Sequence, residues 1–239
     1  MASRQERREV QDAQRQQKAT ARMDPSRAAT VLLVRHGQTD WNVNRRLQGH
    51  LDIPLNEEGV RQAEELAVAL EPVAFTAIYS SDLSRAVKTA EAIAARRPEP
   101  TKVTTSPNLR ERALGVVEGL TPAEAAQGVP EAFRLLASDN DDAVVPGGES
   151  PRQLRTRVAA EVGRIAAMHP GETVLIVAHG GPLHSCYRHA VGHAYHGAVA
   201  NASVHKLLVE GRVWAVLQWN AHAGKLVHGN AFGGGAHEG

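Results

Sequence analysis

An α/β fold, a three-layer sandwich with a mostly parallel central sheet and flanking helices, is what this 239-residue sequence predicts. Two observations carry the prediction. Short apolar runs alternate with helical patterns from about residue 30 to residue 220, as repeated strand–helix units require. Two of those runs, Leu32-Leu33-Val34 and Val174-Leu175-Ile176-Val177-Ala178, each end in a histidine followed by glycine, at His36-Gly37 and His179-Gly180-Gly181. In open α/β sheets ligands bind beyond the carboxyl ends of the strands, where such turns lie.

The elements follow in order. Thr30 to Val34 combines β-branched Thr30, Val31 and Val34 with apolar Leu32 and Leu33, as expected of a first strand buried on both faces. Asn56 caps a helix with Glu57 and Glu58 in its first turn, and Val60, Ala63, Leu66, Ala67 and Leu70 form its apolar face before Pro72. Thr76 to Tyr79 is a second strand, with Ser81 as N-cap of the next helix. That helix has an apolar face of Leu83, Ala86, Val87, Ala90, Ile93 and Ala94, Arg85 in its first turn, and Pro98 at its end. Lys102 to Thr105 is a poorer third strand.

Residues 121–149 mix helix formers, an acidic loop (Asp139, Asp141, Asp142) and Pro146-Gly147-Gly148, which reads as a lid over the sheet's carboxyl edge. Ser150-Pro151-Arg152-Gln153 is a capping box with proline at the first helical position. Leu154, Val158, Val162, Ile165 and Met168 then form a stripe. Thr173 to Ala178 is a strand, a helix starts near Pro182, and Ser203 to Val209 with Arg212 to Trp219 flank Glu210-Gly211 as a closing hairpin.

Composition sets the outer bounds. Apolar residues make up 42% and aromatics 4%, so the core is mainly aliphatic. The chain is long enough for one α/β domain, expected over residues 29–222. A net charge of +1 gives no bulk field for nucleic acid. The single cysteine, Cys186, excludes an intrachain disulfide and reads as a small apolar side chain. No apolar run approaches the ~20 residues of a membrane helix. Residues 1–28 hold seven basic and four acidic residues, one valine and no aromatic. They read as disordered or as a frayed charged helix, and residues 223–239 as a Gly-rich flexible tail. With no secretory h-region, a cytoplasmic location is expected; an organellar address for the N-terminal segment and a homodimer stay open.

Four basic groups converge on the predicted sheet edge: Arg35 and His36 after one strand, Arg85 after another, and His179 after a third. Helix-start amides attract anions and Arg presents a planar fork to phosphate oxygens, so the set describes a phosphate clamp. Displacement at phosphorus by an imidazole nitrogen fits it. His36 is the nucleophile, kept neutral by Arg35 and Arg85. His179 is expected to be protonated and to stabilise the equatorial oxygens, and Glu111, in Leu109-Arg110-Glu111-Arg112, to supply the leaving group's proton. Each residue has an ordinary alternative: Arg85 as a solvated side chain, Glu111 as a surface ion pair, His179 as a structural histidine. His189 and His193, spaced i, i+4 and flanked by His184 and His196, raise a metal reading, but that stretch offers no carboxylate and Gly192 weakens its helix. No metal is expected.

These residues resemble the histidine phosphatase superfamily in its phosphoglycerate mutase-like branch, over about Val31 to Trp219. Leu33-Val34-Arg35-His36-Gly37-Gln38-Thr39 with Trp41-Asn42 carries the likeness, followed by Leu47-Gln48-Gly49 and Asp52-Ile53-Pro54-Leu55-Asn56. Ser80 to Ala86, Leu109 to Arg112, Gly115 to Gly119, Pro146 to Ser150 and Ala178 to Gly181 continue it. The run is most similar to plant phosphoglycerate mutase-like proteins and metal-independent phosphoserine phosphatases. The resemblance implies a phosphoglycerate mutase-like fold and phosphorylation of His36, with Arg35, Arg85 and His179 as phosphate pocket and Glu111 as proton donor. It places Asn42, Thr39 and Gln38 at the pocket's rim with Gly180 and Gly181, and leaves Arg112 for a substrate carboxylate. It implies no cofactor, and a small phosphorylated metabolite as partner.

Departures from the mutase pattern favour hydrolysis. Mutases of the family carry Tyr where this chain has Leu114, Lys where it has Pro122, and Asn where it has Gly181. They also insert a longer basic segment where residues 111–149 are short and acidic. A mutase must exclude water from its phosphoenzyme and a phosphatase must admit it. The expected activity is therefore hydrolysis of small phosphomonoesters, such as phosphoserine or sugar and acid phosphates. The alternatives are a cofactor-dependent phosphoglycerate mutase and a catalytically silent phospho-ligand or protein-binding relative. Silence is disfavoured because all five central residues are present.

Overall fold

The structure, a computed structural model, describes residues 4–99 and 101–221. In chain order it comprises α1 (Arg4–Thr20), β1 (Ala29–Arg35), α2 (Asp40–Val43), α3 (Glu57–Leu70), β2 (Ala77–Ser80), α4 (Ser84–Ala95) and β3 (Val103–Thr105). Then come α5 (Pro122–Gly128), α6 (Pro130–Leu136), α7 (Pro151–Met168), β4 (Thr173–Ala178), α8 (Gly180–Val191), β5 (Val204–Glu210) and β6 (Val213–Ala221). The strands form one sheet in the order β3-β2-β4-β1-β5-β6. The β3–β2, β2–β4 and β4–β1 pairs are parallel, and β5 and β6 add antiparallel at one edge. The closing hairpin thus pairs directly with β1, with Val34 opposite Val204.

The aliphatic runs are explained by burial on both faces of the sheet. Val31 and Leu33 of β1, with Val174 and Ile176 of β4, pack against α7 and α8. Their neighbours Leu32, Val34, Leu175 and Val177 pack against α3 and α4 through Leu66, Leu70, Ala86 and Ile93. The period-2 alternation therefore sorts each strand between two cores. The segment from 114 to 145, which includes most of the expected lid of residues 121–149, has a small core of its own, built on Leu114, Val117, Ala125, Ala132 and Val145.

Several local expectations differ from the structure. In α3 the buried residue of the first turn is Gly59, and Val60 is 47% exposed. The helix lies so close to the turn after β1 that a Cβ on Gly59 would strike the Gln38 carbonyl, and one on Gly37 the Gly59 carbonyl. Met168, at the end of α7, is 48% exposed. Ser81 is not the N-cap of α4. Leu83 holds that position without a side-chain bond, Ser81 Oγ accepts the Leu83 N–H (3.3 Å), and Asp52 Oδ1 accepts the Ser84 N–H (2.7 Å). The helix after β4 begins at Gly180, so Pro182 lies in its first turn, where a missing N–H is harmless. The Asn56 cap and the Ser150–Gln153 capping box are formed.

The N-terminal segment departs most. Instead of a frayed or disordered arm, α1 is a 17-residue helix docked on β6 and α8. Gln16, 5% exposed, accepts the Val216 N–H at 2.7 Å. Asp12 meets His193 Nε2 at 2.7 Å, and Met23 packs with Ala28 and Ala215. One amide, one carboxylate–imidazole contact and a few small apolar side chains hold it, a set with no apolar periodicity to read. The Gly-rich tail, 223–239, lies outside the described residues. Among the described residues no helix is long and apolar enough to cross a membrane.

Candidate active site

β1 and β4 are adjacent and parallel, with Arg35 opposite Ala178, so the two His-Gly turns leave the sheet side by side. The imidazoles of His36 and His179 are edge to face, with centroids 5.0 Å apart. Both are buried, at 3% and 0% exposure. His36 Nδ1 lies 2.6 Å from the Gly37 carbonyl. A carbonyl can only accept, so the proton is on Nδ1 and the Nε2 lone pair is the nucleophilic one. Burial, then the charges of Arg85 and Arg35, push its pKa well below the ordinary histidine value.

His179 is corrected from the protonated state expected of it. Arg85 Nε donates to His179 Nδ1 at 3.2 Å, a bond that requires an unprotonated Nδ1 and leaves the hydrogen on Nε2. Burial first, then the Arg85 charge, drive its pKa well below the usual range. In the free protein His179 is a neutral donor. Its Nε2 is buried without a hydrogen-bond partner, as is Nε of Arg35. A buried orphan donor costs about 1–3 kcal/mol, a penalty an anion placed between these groups relieves.

Arg85 is not a solvated side chain. It is 0% exposed, and besides His179 it donates to the Leu51 carbonyl (2.8 Å) and the Gly49 carbonyl (3.0 Å). Its planar fork ties the loop after α2 to the second histidine. Thr89, one turn along α4, accepts the Gly37 N–H at 3.1 Å and donates to the Arg85 carbonyl at 2.8 Å. Arg35 donates through Nη1 to the Val199 carbonyl.

Glu111 is not a surface ion pair. Both carboxylate oxygens accept the Gly181 N–H (3.1 and 3.0 Å), and Oε1 also accepts the Arg112 N–H at 2.8 Å. Gly181 therefore presents its amide to Glu111, not to the space beside the histidines, and a Cβ there would collide with Glu111 Oε1. Gly180 is the first residue of α8. The side chains of Gln38 and Thr39 are committed locally. Gln38 Oε1 accepts from Asn56 Nδ2 (3.1 Å), and Thr39, fully buried, forms a capping box with Asn42. Asn42 uses its Oδ1 for Thr39 and for Asn201 Nδ2. Arg112 sits half-buried, with Nε on the Glu149 carbonyl at 2.9 Å.

Three supporting residues escaped the sequence reading. Asn201 donates to the His36 and Gly37 carbonyls (3.0 and 3.3 Å) as well as to Asn42, bracing the turn from the far side. Arg157 donates to the Arg110 and Glu111 carbonyls (2.9 and 2.7 Å), and His50 Nε2 meets the Glu111 carbonyl at 2.8 Å. Asn201 lies within the span of the resemblance, but nothing local in the sequence marks the carbonyls it holds. The histidines of the metal reading diverge: His189 packs on Trp214, His193 pairs with Asp12, and His184 faces Tyr195.

A model of the histidine phosphatase superfamily (branch 1) matches residues 31–222. The chain belongs to that superfamily. Among its relatives is phosphoglycerate mutase-like protein 4 of Arabidopsis thaliana, 40% identical over 195 residues, or 80% of this chain and 84% of the relative. The metal-independent phosphoserine phosphatase of the same plant is 39% identical, over 82% of each chain. Of solved structures, a mycobacterial glucosyl-3-phosphoglycerate phosphatase in complex with VO3 superposes with a TM-score of 0.72 at 32% identity, covering 81% of this chain and 99% of that one. In this histidine phosphatase the sheet, the flanking layers and the paired strand ends follow the fold of the superfamily.

The buried neutral histidines make stability depend on pH. His205 is also fully buried, and burial pushes its pKa down to about 3. All three pKa values are lower folded than unfolded. The unfolded chain therefore binds more protons below pH ~6.5, and stability falls as pH drops through that value. Each histidine contributes about 1.4 kcal/mol per pH unit in that window. The urea midpoint is expected to fall steadily from pH 6.5 to pH 5; a flat midpoint there contradicts the neutral assignments.

Proposed function

We propose that this histidine phosphatase is a metal-independent phosphomonoesterase that hydrolyses small phosphorylated metabolites through a phosphohistidine on His36, with residues 29–222 as its catalytic domain and the cytoplasm as its compartment. One observation carries the reading: two buried, unpartnered donors, Arg35 Nε and His179 Nε2, accompany a histidine whose remaining nitrogen keeps a free lone pair. In the first step His36 Nε2 attacks phosphorus and the P–O bond to the alcohol breaks. Arg35 and the His179 N–H bind the equatorial oxygens. Arg85 contributes its charge and holds the His179 tautomer, and Glu111 gives its proton to the departing oxygen. In the second step Glu111 takes a proton from water, the resulting hydroxide attacks the phosphohistidine, and Nε2 leaves. Asn42 and Gly180 line the rim.

Two features favour water as acceptor over return to an intermediate. Leu114 is packed in the lid's own core, and Pro122 starts α5 at a position that needs no N–H. Neither offers a polar anchor to a phosphorylated acid. Phosphate release from phosphoserine, 3-phosphoglycerate and an aryl phosphate, each with excess chelator, tests the reading. Turnover is expected. Absence of release, with interconversion of 2- and 3-phosphoglycerate in the presence of a bisphosphorylated primer, would replace it with the mutase.

Glu111→Gln separates the proton donor from the rest. Esters with poor leaving groups are expected to lose about 10²–10³-fold in kcat, and an activated aryl phosphate less than tenfold in the phosphorylation step. Equal losses on both, measured by rapid quench, make Glu111 a structural residue.

A further inference from the structure

Beside the histidine pair lies a cavity of about 410 Å³, inside the range of about 300–1,000 Å³ typical of sites for drug-sized molecules. Glu111 and Gly181 are among its lining residues, so an alcohol taking a proton from Glu111 borders it. Four leucines (Leu47, Leu114, Leu136 and Leu154), Pro151, Ala194 and Tyr195 line it. An aliphatic wall of this kind gives nothing to a polyol's hydroxyls and favours an apolar body.

The polar side is cationic. Arg112, Arg155 and Arg188 line the cavity beside the neutral His184 and Ser185, and Glu111 is the one carboxylate among the lining residues. Arg155 and Arg188 both bond Asp141, at 3.1 and 2.7 Å, so two guanidiniums share one carboxylate. Arg112 directs Nε and Nη2 to the carbonyl oxygens of Glu149 and Ala143, which are neutral acceptors. Glu149 itself is paired with Arg157. An anionic group on the substrate meets an excess of positive charge here, and an ammonium meets like charge.

Building on the phosphatase reading, we infer that the alcohol half of the preferred substrate is a ring-sized apolar body ending in a carboxylate, not serine or glycerate. Arg188 lies seven residues beyond Gly181 on α8, about 10 Å along the helix. That is farther than serine's carboxylate extends from its ester oxygen, and serine's ammonium has no free carboxylate to meet. Gly181 and Glu111 set the reacting end, the leucines the body, and Arg188 with Arg155 the far end.

The test compares kcat/KM for 4-carboxyphenyl phosphate, phenyl phosphate and phosphoserine in the full chain and in Arg188→Gln. The native protein is expected to prefer 4-carboxyphenyl phosphate to phosphoserine by tenfold or more. The ratio of the carboxylated to the plain aryl ester is expected to fall roughly fivefold in Arg188→Gln, as for a half-exposed charge-assisted contact. That ratio cancels leaving-group reactivity between native and variant. Arg61→Gln, on the exposed face of α3, is expected to leave it unchanged. If Arg188→Gln loses its circular dichroism spectrum, Arg155→Gln replaces it, since either arginine alone still pairs Asp141. An unchanged ratio overturns the carboxylate. Phosphoserine as the best of the three, with phosphohistidine formed, overturns the inference and leaves the phosphatase standing. No release and no phosphoenzyme from any of them overturns both.

Discussion

His36→Ala is expected to lower kcat by about 10⁴-fold or more and to abolish any acid-labile phosphoenzyme. The expectation rests on how little else near phosphorus can attack. His179 Nδ1 is held by Arg85 and its Nε2 carries a hydrogen, so the second imidazole has no free lone pair. The loss is chemical and not structural, because the turn survives without the ring. The backbone N–H of residue 36 still bonds the Ala178 carbonyl (3.0 Å), and Asn201 still donates to the carbonyl of residue 36. The imidazole's one hydrogen bond, to the adjacent Gly37, vanishes with it. Rapid-quench trapping with a ³²P-labelled ester checks both halves. Turnover within tenfold of native, or a labelled protein stable only to alkali in the variant, sinks the nucleophile assignment.

Arg85→Lys is the second large effect, and it separates charge from shape. An ammonium keeps the positive charge but is a single compact donor group, whereas the guanidinium bonds three acceptors in fixed directions: the Leu51 and Gly49 carbonyls and His179 Nδ1. At a fully buried position, each acceptor left without its donor costs about 1–3 kcal/mol. The melting temperature is expected to fall by several degrees. Without the Arg85 donor, His179 loses the bond that fixes its tautomer, and kcat/KM is expected to drop about 10²–10³-fold. A conservative replacement therefore costs most of the activity. Activity within a factor of three of native, with an unchanged melting temperature, shows that charge alone is needed there.

Much of the site was legible because strand ends are legible. β1 and β4 are aliphatic runs bounded by Arg35-His36-Gly37 and His179-Gly180, and two parallel buried strands must expose their carboxyl ends on the same edge. Helix starts were legible where the capping side chain is local, as at Asn56 and Ser150. They failed where the cap comes from elsewhere: Asp52 takes the Ser84 N–H from a different loop, and no local pattern announces that. The protonation of His179 was misjudged because its complete burial, and then the charge of Arg85 that also donates to it, keep the ring neutral. Neither burial nor that contact is visible in the sequence. Arg157 and Asn201 act by holding main-chain carbonyls of other segments, and a sequence does not show which carbonyls come within reach. Gly181 was assigned to phosphate, as glycines after such strands invite. Its amide instead serves Glu111, and its missing side chain is the room in which that carboxylate sits.

The docked N-terminal helix has a consequence for solubility. β6 is the outermost strand of the sheet, and an outermost strand offers its unpaired amides and carbonyls to any other extended chain. Gln16 consumes the Val216 amide mid-strand, and the body of α1 lies along the same border. The sheet ends there in a helix, which cannot template another strand. A basic, polar segment with no share in the chemistry thus works as a selvedge, keeping one molecule's sheet from continuing into the next.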